Sequence, residues 1–127
     1  MVYHELSNKV LKCAFTVHRG LGSGLLESAY EEAVCVELTR AGLRFERQKV
    51  YPLFYKSQPI GGYIADLVVE NTVILELKAV ANIIPIHEAQ LLNYLKLSRL
   101  PVGYLFNFNG IRLEWRRFAN TRGHETQ

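Results

Sequence analysis

GGYIADLVVENTVILELKAV, residues 61–80, is the stretch that decides the fold. Two apolar runs flank Glu70-Asn71-Thr72, which predicts two strands joined by a tight turn. Into these runs the chain places Asp66, Glu76 and Lys78. A charge inside a sheet is costly to bury unless it is paired or bound to a metal. Side chains two apart on a strand share a face, so Glu76 and Lys78 project together while Leu75, Leu77 and Ala79 fill the other face. A turn centred on Asn71 sets Asp66 opposite Glu76, with Cβ atoms about 5 Å apart. Carboxylates that close repel unless something positive lies between them. A divalent cation with hard oxygen ligands, Mg²⁺ or Mn²⁺, meets that need. Lys78, one pleat on, is placed to hold an attacking water or to stabilise charge on a phosphate. A ligand-free Asp66–Lys78–Glu76 salt network accounts for the same residues and remains open at this level.

The totals narrow the class. With 127 residues, 49% of them hydrophobic, the chain reads as a single domain over 1–127 with a real core. The core spans about 6–118, and the tail 119–127 is expected to fray. No apolar run approaches the ~18 residues that would span a bilayer, and MVYHELSNKV is too polar for a signal peptide. Cys13 and Cys35 both fall in helix-like stretches and read as reduced thiols, which points to the cytoplasm. The net charge of +3, with no long basic run, is compatible with a nucleic-acid partner without establishing one.

Working outward, Leu6, Val10, Cys13-Ala14 and Val17 recur at helical spacing over 5–18. The glycines of Gly20-Leu21-Gly22-Ser23-Gly24 then break the helix. This segment lacks the lysine of a phosphate-binding loop and follows a helix, so it predicts a tight connection with Ser23 as the next N-cap. In the helix over 24–41, Leu26, Tyr30, Val34, Leu38 and Ala41 share one arc. Glu27 projects into that arc and could add a carboxylate to the metal; Glu37 also lies among apolar neighbours. Gly42 is the expected C′ residue. Leu43–Tyr55 reads as a strand, irregular near Pro52, and Lys56-Ser57-Gln58-Pro59 as a turn. A helix from Ile86 to Ser98, with Pro85 near its start, carries His87, Gln90 and Tyr94 on one face. Gln90 is a candidate partner of Lys78 or of a phosphate, and Tyr94 a candidate floor of the site. His18, just before the glycine turn, reads as structural; His87 sits in the first turn beside the predicted site but has no histidine or cysteine companion as a metal ligand. Pro101–Phe108 predicts a buried central strand parallel to one of the meander. Ile111–Phe118 alternates as an edge strand, whose Arg112, Arg116 and Arg117 either touch phosphates or keep the edge soluble. The order is ααβββαββ, an α/β fold on a mixed central sheet flanked by helices.

Asp66, Glu76-Leu77-Lys78 and the later Gln90-Leu91-Leu92-Asn93-Tyr94 resemble the PD-(D/E)xK nuclease superfamily and its restriction-endonuclease-like core. The likeness is nearest to its RecB-like branch, in which a Q-x3-Y helix follows the core lysine. Gly24-Leu25-Leu26-Glu27-Ser28-Ala29-Tyr30 further resembles the motif of the small GxxExxY family, and the likeness runs from about Leu6 to Trp115. It implies a metal-dependent phosphodiesterase, a nuclease using Mg²⁺. Asp66 and Glu76 would bind the metal, with the Leu77 carbonyl and Glu27 as further ligands. Lys78 would orient the attacking water, and Gln90 and Tyr94 would line the site. Ala65 replaces the superfamily's proline. No recognition domain is evident, which favours a homodimer or a protein partner, or an alternative: a catalytically idle fold serving as a binding or regulatory subunit.

Overall fold

The computed structural model describes residues 2–120. Its element order is α1 (Val2–Leu21), α2 (Glu27–Arg40), β1 (Phe45–Tyr55), β2 (Gln58–Val69), β3 (Val73–Lys78), α3 (Pro85–Ser98), β4 (Val102–Asn107) and β5 (Glu114–Ala119). The strands form one sheet in the order β1-β2-β3-β4-β5. All neighbours are antiparallel except β3 and β4, which are parallel because α3 carries the chain across between them. This is the ααβββαββ architecture that the sequence predicts.

Two apolar layers hold it together. Val10, Ala14 and Val17 of α1 and Tyr30, Val34 and Leu38 of α2 pack on one face of the sheet, against Leu67, Val69, Leu75, Leu77 and Phe106. On the other face Leu91 and Leu95 of α3 meet Ala65, Val68, Ile74 and Leu105. Burying each such leucine contributes about 2 kcal/mol. Glycine at 103 brings α3 close: a Cβ there would meet Leu91 Cδ1 at 2.9 Å. No helix among the described residues is long and apolar enough to cross a membrane.

The turn between β2 and β3 has positive φ at Glu70 and Asn71 and closes with the Thr72 N–H on the Val69 carbonyl. The resulting register pairs Leu67 with Leu75, Val68 with Ile74 and Val69 with Val73, the pairing predicted from a centre at Asn71. Pro52 marks an irregularity, a register shift before Phe54. Gly42, with φ +75°, ends α2: its N–H meets the Thr39 carbonyl and that of Leu43 meets the Leu38 carbonyl.

Several local expectations are corrected. Ser23 does not cap α2. The N-cap is Leu26, which is 78% exposed and offers no side-chain acceptor. The connection is tied instead by the Tyr30 hydroxyl, which donates to the Gly22 carbonyl at 2.6 Å and accepts the Leu25 N–H. A buried phenol thus does what a capping serine would have done locally. β3 stops at Lys78 rather than Val80, because side chains take over the next two N–H groups: Glu27 accepts that of Ala79 and Asn107 that of Val80. β5 begins at Glu114, since Ile111 is 98% exposed and only Leu113 of that segment turns into the core. The tail does not fray at Ala119. Ala119 pairs with Val102, and the Asn120 side chain donates to the Leu95 and Leu100 carbonyls. Residues 121–127 lie outside the described residues.

Candidate active site

β2 changes facing at Asp66. Leu67 and Val69 point into the layer under α1 and α2, whereas Ala65 and Tyr63 point into the layer under α3. Regular alternation would put Leu67, Ala65 and Tyr63 on one side, so the strand turns over between Ala65 and Leu67. The opposing strand shows why. Gln48 has φ +50°, and the β1–β2 ladder, regular from Phe45 to Arg47 and from Lys49 to Pro52, lacks the rung between Gln48 and Asp66.

The β2–β3 ladder ends at Leu67 and Leu75. Beyond that point the carboxylates replace the backbone rungs. Glu76 Oε2 accepts the Asp66 N–H at 3.2 Å, and Asp66 Oδ2 accepts the Leu77 N–H at 2.8 Å. Neither Asp66 Oδ1 nor Glu76 Oε1 has a hydrogen-bond partner among the described residues. Asp66 is half-buried and Glu76 buried. Burial raises the Asp66 carboxyl above its ordinary value, and the charges of Glu31 and Glu27 add to that against the Leu77 hydrogen bond and Lys78. Glu76 is pushed up to about 8, first by burial and then by the charge of Asp66. A carboxylate pair held this way is short of positive charge.

The other predicted residues gather unevenly. Lys78 is half-buried, forms no ion pair among the described residues, and its charge lowers both carboxyls. Glu27, the first residue of α2, is exposed and reaches the far end of β3, where its Oε2 accepts the Ala79 N–H at 3.0 Å. Tyr94 is half-buried and stacks on Tyr63. Burial raises its phenol, and the charges of Glu76 and Asp66 add to the effect. Gln90 lies one turn before Tyr94, exposed and without a hydrogen bond among the described residues, so the expected contact with Lys78 is not made. His87 Nδ1 accepts the Ile84 N–H at the start of α3, and His18 Nε2 is bonded to the Gly110 carbonyl; both are structural. Arg116, on β5, is engaged with Glu88 of α3 and with Glu114 of its own strand, and β5 lies three strands, or about 14 Å, from β2.

Three contributors went unread in the sequence. Tyr63 completes a stack of Tyr51, Tyr63 and Tyr94 beside the carboxylates. Glu31 accepts hydrogen bonds from Arg47 and Gln48 at the interrupted rung. Asn107 holds the end of β3, donating to the Val80 carbonyl and accepting its N–H. Asn107 had a visible signal, a lone amide in the otherwise apolar PVGYLF-NF run. Tyr63 had none, because its facing depends on the turnover at Asp66.

Among the described residues no three His, Cys, Asp and Glu side chains converge to hold a metal ion, since Glu27 stops at Ala79. The donor set that does converge is the Asp66–Glu76 pair. It suits a hard divalent cation: two carboxylates, each with one oxygen free, and a shared repulsion that a cation would relieve.

A five-stranded mixed sheet between helical layers, with facing carboxylates on adjacent strands and a lysine two residues on, defines a restriction-endonuclease-like core. A family model for the PD-(D/E)XK nuclease superfamily matches residues 4–118, and the chain belongs to that superfamily. Comparison with curated proteins and with solved structures gave no match.

Proposed function

We propose that the protein is a metal-dependent phosphodiesterase acting on nucleic acid, of the GxxExxY type within the RecB-like branch. The observation that carries this is the cross-bonded pair of Asp66 and Glu76, in which burial and then the charge of Asp66 push Glu76 up to about 8. Asp66 and Glu76 would hold Mg²⁺ or Mn²⁺, with the Leu77 carbonyl and Glu27, through water, as further ligands. When bound there, the metal supplies a Lewis acid for the phosphate oxygens. Lys78, on the face of β3 that Glu76 occupies, would orient the attacking water and offer positive charge to the phosphate. Gln90 and Tyr94 line the α3 side of the substrate path. The buried free thiols of Cys13 and Cys35, both raised by burial, suit action in the cytoplasm.

One observation favours a second reading, a catalytically idle subunit that binds a protein partner or another copy: Glu27 is engaged at Ala79, away from the carboxylate pair. Calorimetric titration of Mn²⁺ and Mg²⁺ into wild type and Asp66→Asn separates the two. Binding by wild type that vanishes in the variant supports the metal site; equal heats from both, or none from wild type, support the idle subunit.

A further inference from the structure

Two buried side-chain polar atoms among the described residues lack a hydrogen-bond partner, Ser7 Oγ and Tyr63 Oη. The serine needs no ligand, because a helical hydroxyl can turn on to the carbonyl four residues back. The phenol has no such freedom. Tyr63 is 8% exposed, and its ring is held between those of Tyr51 and Tyr94. Its Oη can move only if the stack moves.

The surroundings identify what would complete it. Burial raises the Tyr63 phenol strongly, and the charge of Glu76, then those of Tyr51, Tyr94 and Asp66, push the same way. The hydroxyl therefore lies in the field of both carboxylates, is bonded to neither, and stays protonated as a donor. Lys78 adds an ammonium that forms no ion pair among the described residues, on the same face of β3 as Glu76. Tyr63 belongs to the layer under α3, the face that Glu76 and Lys78 also share, because Val73, Leu75 and Leu77 point the other way. Among the described residues, two donors without acceptors thus share the sheet face of the carboxyl pair. Donors without acceptors beside an anion pair are matched by an oxyanion brought in with a cation.

We propose that Tyr63 Oη and Lys78 Nζ form a phosphate-oxygen site beside Asp66 and Glu76, in which the phenol donates a hydrogen bond to a non-bridging oxygen of a bound phosphodiester. This rests on the phosphodiesterase reading and assigns a task to a residue outside the superfamily's acidic and lysine motif. The carboxylates take the cation, and the phenol and ammonium take the anion.

Tyr63→Phe tests it, because the substitution keeps both ring stacks and deletes only Oη. Three measurements are made on wild type and variant: metal-free thermal melting, calorimetric Mn²⁺ titration, and fluorescence anisotropy of a labelled octathymidylate with Mn²⁺ present. The variant is expected to melt at or above the wild-type temperature, because no internal hydrogen bond is lost. It should bind Mn²⁺ equally and bind octathymidylate about tenfold more weakly, the loss of one hydrogen bond to a charged group. Equal octathymidylate affinity in the two proteins, including none in either, overturns the phosphate-oxygen site while leaving the metal site standing. A variant that melts several degrees lower also overturns it, since the hydroxyl would then have an internal partner. A wild type that takes no Mn²⁺ defeats the parent reading, and this inference with it.

Discussion

Glu76→Gln replaces an ionisable carboxyl of the candidate site, and proposed metal ligand, with a neutral amide of nearly the same shape. The glutamine carbonyl can still accept the Asp66 N–H that Glu76 Oε2 accepts now. The group it replaces is 7% exposed and raised from 4.5 to about 8. With the folded value above the unfolded one, the folded protein retains a proton that the unfolded chain releases. Stability from this group is therefore fully present below about pH 4.5 and is lost as pH rises through about 8. The loss reaches about 3 kcal/mol at pH 7 and levels off near about 5 kcal/mol in more alkaline solution. Asp66, also raised, acts in the same direction. Glutamine carries no such penalty. Thermal melts of wild type and Glu76→Gln across pH 4–9 should coincide at the acid end and separate steadily, the variant melting about 10 °C higher near pH 7. Saturating Mn²⁺ should then close the gap by stabilising wild type alone, with proton release on binding. Parallel melting curves over the whole range would refute the electrostatic account of the site.

Two further substitutions probe the frame that positions it. Tyr30→Phe keeps the stack on Phe108, at 4.6 Å, but leaves the Gly22 carbonyl and Leu25 N–H without their shared partner. It should lower the urea midpoint by the equivalent of about 1–2 kcal/mol with an unchanged slope; an unchanged midpoint would show that the Gly22–Leu25 connection holds without it. Asn107→Ala strips both backbone partners from Val80 and should cost about 2–4 kcal/mol. Hydrogen exchange at the Val80 amide should accelerate beyond what that global loss explains, and equal protection would remove Asn107 from the strand end.

What the sequence revealed and what it hid follow from the range of the interactions. Opposed carboxylates were legible because strand alternation and a turn centred on Asn71 are local, and together they fix Asp66 against Glu76. The α3 start at Pro85 and the Gly42 terminus were legible for the same reason. Ser23 meets the local rules for an N-cap and still does not cap, because the acceptor and donor of that connection meet a phenol inside α2. Tyr63 was hidden by the positive φ of Gln48, a backbone event on the neighbouring strand that reverses the facing of everything beyond Asp66. The end of β3 depended on Glu27 and Asn107, side chains that reach it from elsewhere in the chain, and the end of β5 on Asn120, whose side chain reaches back to the Leu95 and Leu100 carbonyls.

The uneven spacing along β2 also determines where the chain tolerates a change in length. Between Asp66 and Glu76 every residue is a rung or part of the turn, so a single insertion there would rotate one carboxylate to the opposite face. At the outer end, β2 already carries one more residue than β1 between the Pro52–Gly62 and Phe54–Pro59 pairs, and Asp66 is unmoved by it. Peptide tags, loop grafts and new termini therefore belong at Lys56–Ser57, and the Glu70–Thr72 turn should be left at its native length.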